Sequence, residues 1–172
     1  MRSRSDLTAI CDAGPVIHLD ELDCLDLLSD FAQVMLPEKV RQEIERYRRS
    51  ALENPRISFM TVGRRTHFDG SLLAMSRTFV LDAGETEALA LMKEIPNAIF
   101  LTDDSAARLV ANQMGFEVHG TIGILVRAIR REHRKPEEVV RVLSELPRKS
   151  TLYIKHSLLE EIILKVKHEF GL

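Results

Sequence analysis

A chain of 172 residues with 45% hydrophobic and 29% charged residues has room for one buried core but not for two ordinary domains, and nothing in it argues for disorder. Its formal net charge of -2 excludes a polycation that binds nucleic acid through bulk electrostatics. No apolar run approaches the roughly 18 to 20 residues that span a bilayer, and the basic start Met1 to Asp6 lacks the apolar stretch of a secretory signal, so a cytoplasmic protein is expected.

Thr8-Ala9-Ile10-Cys11 is a short apolar run that stops at Asp12-Ala13-Gly14-Pro15, which predicts a buried strand and a turn, with Pro15 placed to open a helix. Helical pieces follow to about Phe31. Gln33 to Leu36 predicts a second strand. Pro37 then starts a helix whose apolar positions Val40, Ile44, Tyr47 and Ala51 keep a spacing of three or four. Ile57 to Val62 predicts another strand, and the polar, Gly-bounded stretch Gly63 to Gly70 a surface loop followed by a short helix. Gly84 to Ile95 predicts a helix with Ala88, Leu91, Met92 and Ile95 on one face.

Ala98 to Thr102 is continuously apolar until its end, as a central parallel strand covered on both faces should be. Asp103-Asp104-Ser105 caps a helix carrying Ala107, Val110, Ala111 and Met114, which stops at Gly115. Phe116 to His119 predicts a last strand, with a helix after Gly120-Thr121-Ile122-Gly123. Strands alternating with helices predict a three-layer α/β/α sandwich around a central, mainly parallel sheet. Beyond Pro136 the pattern is helical, with one helix from Glu137 to Leu146, a break at Pro147, and an amphipathic helix from Ser157 to Glu169.

In open sheets of this kind, ligands bind beyond the carboxyl ends of the strands. Two predicted strands end in acids there: Asp12 after the first, Asp103 and Asp104 after the run Ala98 to Thr102. A helix cap explains Asp103 or Asp104 equally well. Glu85, in a first helical turn, and Glu43, on the helix after Pro37, each lie roughly 70° from the centre of their apolar stripe, whereas Glu38, Glu45 and Glu94 point away. A helix dipole would account for Glu85 and Glu87 alike. Carboxylates brought together repel unless a cation compensates. Cys11 and Cys24 lack CxxC spacing, and the six histidines include no i, i+4 pair, so the cation would be Mg²⁺ or Mn²⁺ rather than zinc.

The segments Asp12-Ala13-Gly14-Pro15-Val16-Ile17-His18-Leu19, Leu36-Pro37 with Glu43, Leu81-Asp82-Ala83-Gly84-Glu85-Thr86-Glu87-Ala88, Leu101-Thr102-Asp103-Asp104 with Arg108, and Gly120-Thr121-Ile122-Gly123 together resemble PIN-domain proteins over roughly residues 8 to 132. The resemblance implies a metal-dependent endoribonuclease with Asp12, Glu43, Glu85 and Asp104 as catalytic residues. It implies Mg²⁺ or Mn²⁺ held by Asp12, Glu85, Asp103 and Asp104, and substrate positioned by Thr102, Arg108 and Thr121. It further implies an RNA substrate, a toxin role with a protein antitoxin, and a homodimer. Glu85 departs from the aspartate of many PIN nucleases. Residues 136–172, which have no counterpart in the minimal domain, are expected to form a helical extension on the 1–135 unit, as a dimerisation arm or a lid.

The expected chemistry is metal-assisted phosphodiester hydrolysis, with Arg108 or the basic cluster around Arg130 facing phosphates. No aromatic stacking platform is visible in the sequence. Two other readings compete: a non-catalytic PIN-like nucleic-acid-binding or scaffold protein whose acids hold no metal, and a receiver-like phosphoryl-transfer protein, for which the sequence offers no lysine at a strand end.

Overall fold

The computed structural model describes residues 7–63 and 68–172; the basic segment Met1 to Asp6 and the middle of the loop expected after Gly63 lie outside them. Five strands form the sheet: β1 (Thr8–Cys11), β2 (Gln33–Pro37), β3 (Phe59–Val62), β4 (Ile99–Leu101) and β5 (Glu117–His119). Their order is β3-β2-β1-β4-β5 and every neighbouring pair is parallel. The chain therefore runs outward from β1 in one direction, returns, and runs outward in the other. The β1–β4 boundary is the switch point at which such sheets open a crevice.

Among the described residues, eight α-helices surround the sheet: α1 (Ala13–Glu21), α2 (Glu38–Arg48), α3 (Gly70–Thr78), α4 (Ala83–Glu94), α5 (Ser105–Gln113), α6 (Thr121–Arg130), α7 (Pro136–Lys149) and α8 (His156–Phe170). The period of two along each strand sorts residues between two cores. Ala9, Cys11, Val34, Leu36, Ile99 and Leu101 face a core that also takes in Val16, Ile44, Leu125, Leu143 and Val166. Ile10, Met35 and Phe100 face the other, with Leu72, Leu89 and Val110. The molecule is thus a three-layer α/β/α sandwich, with α1, α2, α6, α7 and α8 contributing to one core and α3, α4 and α5 to the other. A fully buried side chain such as Phe100 contributes about 1.5–3 kcal/mol by leaving water.

Four local expectations are revised. Pro15 is the third residue of α1, not its first, because Asp12 caps the helix and accepts from the Ala13 amide at 2.8 Å. α4 is buried on every side from Gly84 to Met92 rather than along one stripe, because α2, α3 and the sheet all pack on it. α7 continues through Pro147 to Lys149; the proline is exposed and lies in the last turn, so its missing amide removes a single helical bond, the one to the Leu143 carbonyl. Tyr47 continues the apolar spacing of α2 but is 61% exposed, because its turn overlooks an open cleft instead of the core.

Candidate active site

The register of β1 and β4 pairs Cys11 with Leu101, so the residues that follow each strand emerge side by side. The Asp12 amide donates to the Leu101 carbonyl at 2.8 Å, and the Thr102 amide to the His119 carbonyl at 3.0 Å. At this edge lies a cleft of about 820 Å³, lined by seven carboxylates: Asp12, Glu21, Glu43, Asp82, Glu85, Asp103 and Asp104. Arg48 and His18 also line it. Arg48 is already paired with Asp20 at 2.9 Å.

Helix N-termini orient most of these acids. Asp12 caps α1, Asp82 caps α4 by accepting from the Glu85 amide at 2.8 Å, and Asp104 caps α5 by accepting from the Ala107 amide at 2.8 Å. Glu85 closes a capping box by accepting from the Asp82 amide at 2.8 Å. In Asp82, Glu85 and Asp104 the second carboxylate oxygen has no hydrogen-bond partner among the described residues. The second Asp12 oxygen accepts from the Thr102 hydroxyl at 3.1 Å, and that hydroxyl accepts in turn from the Asp104 amide at 3.2 Å. Thr102, fully buried, therefore couples the two strand-end acids and presents no hydroxyl to solvent.

Asp103 is differently placed. Its Oδ1 accepts from the Thr121 amide at 2.7 Å, and its Oδ2 from the Thr121 hydroxyl at 2.6 Å. Oδ2 also lies 2.8 Å from Nδ1 of His18. Asp103 thus caps α6, a helix from elsewhere in the chain whose own N-cap residue is Gly120. A Cβ at Gly120 would sit 2.7 Å from Oδ1 of Asp103, which explains a residue without a side chain there. Both oxygens of Asp103 accept from Thr121, which is buried, so the pair ties the end of β4 to α6.

The acids sense one another. Burial pushes the Asp12 carboxyl up to about 6 against the hydrogen bonds from Ala13 and Thr102, with the charges of Asp82 and Glu43 adding to the rise. Burial likewise pushes Glu85 up to about 7, against its bond from the Asp82 amide and reinforced by the charges of Asp82, Asp104 and Asp12. Glu43, exposed to solvent, is raised by partial desolvation and by Asp82. Glu21 goes the other way: partial burial would raise it, but bonds from Thr151 and Ser150 prevail and lower it.

The four acids expected at the site, Asp12, Glu43, Glu85 and Asp104, all line this cleft. Asp82, which the sequence reading quoted without a role, joins them, and its signal was legible as the first residue of the capping box Asp82-Ala83-Gly84-Glu85. Arg108 is not in the cleft; it lines a neighbouring depression that shares only Asp103 with it. The basic cluster around Arg130 is paired with carboxylates, Arg127, Arg131 and Arg134 in part-buried contacts and Arg130 at the surface. Arg127 and Arg131 bond Asp30, Arg134 bonds Asp26 and Arg130 bonds Glu169, so these cations hold helices together.

The donor set fits a hard divalent cation: oxygen ligands only, two carboxyls raised by burial and further by their acidic neighbours, and carboxylate oxygens without partners among the described residues. In the side-chain conformations present, no three His, Cys, Asp or Glu among the described residues stand close enough to form a finished metal cage. Ion binding would draw the partnerless oxygens inward.

No curated protein and no solved structure matches the chain. Among family models, the one for the PIN domain matches residues 8–168, a span that takes in the acidic cleft and runs on through α7 and most of α8. With that match and a parallel α/β/α sandwich that opens an acidic cleft at its switch point, the chain belongs to the PIN-domain family, whose members are generally nucleases that act with divalent metals.

Proposed function

We propose that this protein is a metal-dependent ribonuclease that hydrolyses RNA phosphodiester bonds, leaving a 5′ phosphate and a 3′ hydroxyl. The observation that carries the reading is the convergence of Asp12, Glu43, Asp82, Glu85 and Asp104, from separate elements, on one cleft at the ends of the strands, where burial pushes the Asp12 and Glu85 carboxyls up. Such crowding is tolerable in the charged state only when a cation shares the cleft. Asp12, Glu43, Glu85 and Asp104 would hold Mg²⁺ or Mn²⁺, with Asp82 beside them. When bound, the cation supplies Lewis-acid activation of water and of the scissile phosphate. The chain's own contribution is orientation: Thr102 fixes the Asp12 carboxylate, the helix N-termini fix Asp82 and Asp104, and the Asp103–Thr121 bonds hold the cleft's far wall.

The family resemblance extends the reading to a cytoplasmic toxin, homodimeric and restrained by a protein antitoxin. Among the described residues no helix is long and apolar enough to cross a membrane. Growth arrest on induction of the wild-type chain, abolished by Asp12→Asn, is the expected result if the toxin role is right.

The ribonuclease reading is tested by Mn²⁺-dependent cleavage of RNA with wild type, Asp12→Asn and Asp104→Asn purified identically. Asparagine caps a helix as well as aspartate does, so the folds should survive while activity falls. Variants as active as wild type would refute the reading. One observation favours the alternative of a metal-free PIN-like binder or scaffold, namely the lack of a finished metal cage among the described residues. Calorimetric titration with Mn²⁺ separates the two, since the scaffold predicts no saturable binding.

A further inference from the structure

The chain contains two tyrosines and no tryptophan, and both tyrosines line the acidic cleft. Tyr47 is 61% exposed and Tyr153 is 85% exposed. They reach the cleft from opposite ends of the chain. Tyr47 stands on the last turn of α2, with the Arg46 guanidinium 5.5 Å from its ring centroid. Tyr153 belongs to the connector between α7 and α8, which is fastened to the end of α1. There the Glu21 carboxylate accepts from the Ser150 hydroxyl at 2.8 Å, the Thr151 amide at 2.7 Å and the Thr151 hydroxyl at 3.0 Å. The connector is thereby held at the cleft edge by specific bonds.

Electrostatics leaves the substrate short of grip. The cleft is acidic, the chain as a whole has a formal charge of -2, and Arg127, Arg130, Arg131 and Arg134 are bonded to carboxylates within the fold. Phosphate neutralisation, the usual source of affinity for nucleic acid, therefore falls beside the cleft mainly to the exposed Arg46, which stands over the Tyr47 ring. Stacking of bases on aromatic rings supplies affinity without charge and without regard to sequence.

We infer that Tyr47 and Tyr153 stack against unpaired bases of an RNA strand, so that the α7–α8 connector completes the substrate path across the acidic cleft. This rests on the ribonuclease reading for the identity of the strand. Glu21 is a positioning residue in this arrangement, acting through the connector and not on the RNA.

With no tryptophan present, intrinsic fluorescence comes from these two rings alone. The test titrates the Asp12→Asn protein, in Mg²⁺, with a single-stranded RNA of about 12 nucleotides and with the same strand annealed to its complement. Quenching by the single strand and not by the duplex is expected, with a shallow dependence of affinity on salt. Adding Tyr47→Ala or Tyr153→Ala should weaken binding roughly 5- to 150-fold each, the range for loss of one stacked base, whereas phenylalanine at either position should retain the affinity. Glu21→Ala should reproduce part of the Tyr153→Ala loss. Unchanged binding by the double alanine variant overturns the inference, as does equal quenching by duplex. That variant has no tyrosine, so its affinity is read by the anisotropy of a fluorescein-labelled strand, with the parent protein measured the same way. A double variant altered only in oligomeric state by light scattering would also overturn it and assign the rings to a protein contact. Because binding is read on Asp12→Asn, failure of the wild type to cleave RNA would remove the ribonuclease reading without touching this measurement.

Discussion

Two charged regions of the molecule are built on opposite plans. Around Asp30, 5% exposed, cations converge on one carboxylate. Arg127 reaches it at 3.1 Å and Arg131 at 3.2 Å, with His133 Nε2 3.8 Å away. Beside this group Arg134 bonds Asp26 at 2.6 Å. At the end of the sheet seven carboxylates share a cleft with one arginine, itself paired elsewhere, and one histidine. Where the fold must be tied, opposite charges are matched locally. In the cleft the imbalance is left standing, and the folded protein bears its free-energy cost.

The contrast is open to attack from both sides. Asp30→Ala leaves two part-buried arginines without their carboxylate, and removing one member of a buried charge group costs about 3–5 kcal/mol. Denaturant unfolding should show a loss of that size, with metal-dependent activity per folded molecule unchanged. A loss below about 1 kcal/mol would mean that the cluster is a solvated surface network and the comparison false.

Gly120→Ala acts on the cleft wall. Its Cβ would meet Asp103 Oδ1 at 2.7 Å and the Thr102 carbonyl at 3.3 Å, so Asp103 must release Thr121 or the backbone must shift. Overpacking of this kind costs about 1–3 kcal/mol. The same variant should lower cleavage, since Asp104 and Thr102 flank the displaced residue.

The smallest effect concerns pH. Asp12 and Glu85 titrate at about 6 and about 7 in the folded state, against values near 4 for an unfolded chain. Between roughly pH 4 and pH 7 the folded protein holds protons that the unfolded chain has released, so the contribution of these groups to stability falls as pH rises through that window. The penalty is absent below about pH 4 and complete above about pH 7. The metal-free protein should therefore melt a few degrees lower at pH 8 than at pH 5.5. Glu85→Gln or saturating Mg²⁺ should shrink the difference. A flat melting profile in metal-free buffer would argue that the cleft is not under electrostatic strain.

Much of the fold was legible from local pattern. The apolar runs at Ala9, Val34 and Ile99 and the helix periodicity after them predict the parallel sandwich, because strand and helix periods are properties of short segments. The acids Asp12, Glu43, Glu85 and Asp104 were legible through strand ends and helix-boundary positions. Local pattern also misled at instructive places. Tyr47 keeps the spacing of buried residues yet faces the cleft, and Arg127, Arg131 and Arg134 look like a phosphate track yet bond Asp30 and Asp26. In each case the deciding neighbour lies far away in sequence.

Length, charge and periodicity were enough to determine an α/β sandwich with oxygen-rich strand ends, since these depend on residues within a turn or a strand of one another. The role of each charge was settled only in three dimensions. Asp103 and Asp104 are adjacent and chemically identical, yet one holds α6 through Thr121 and the other keeps an oxygen without a partner among the described residues. Whether a carboxylate is saturated depends on which amides and hydroxyls the packed chain brings to it, and no local periodicity carries that information.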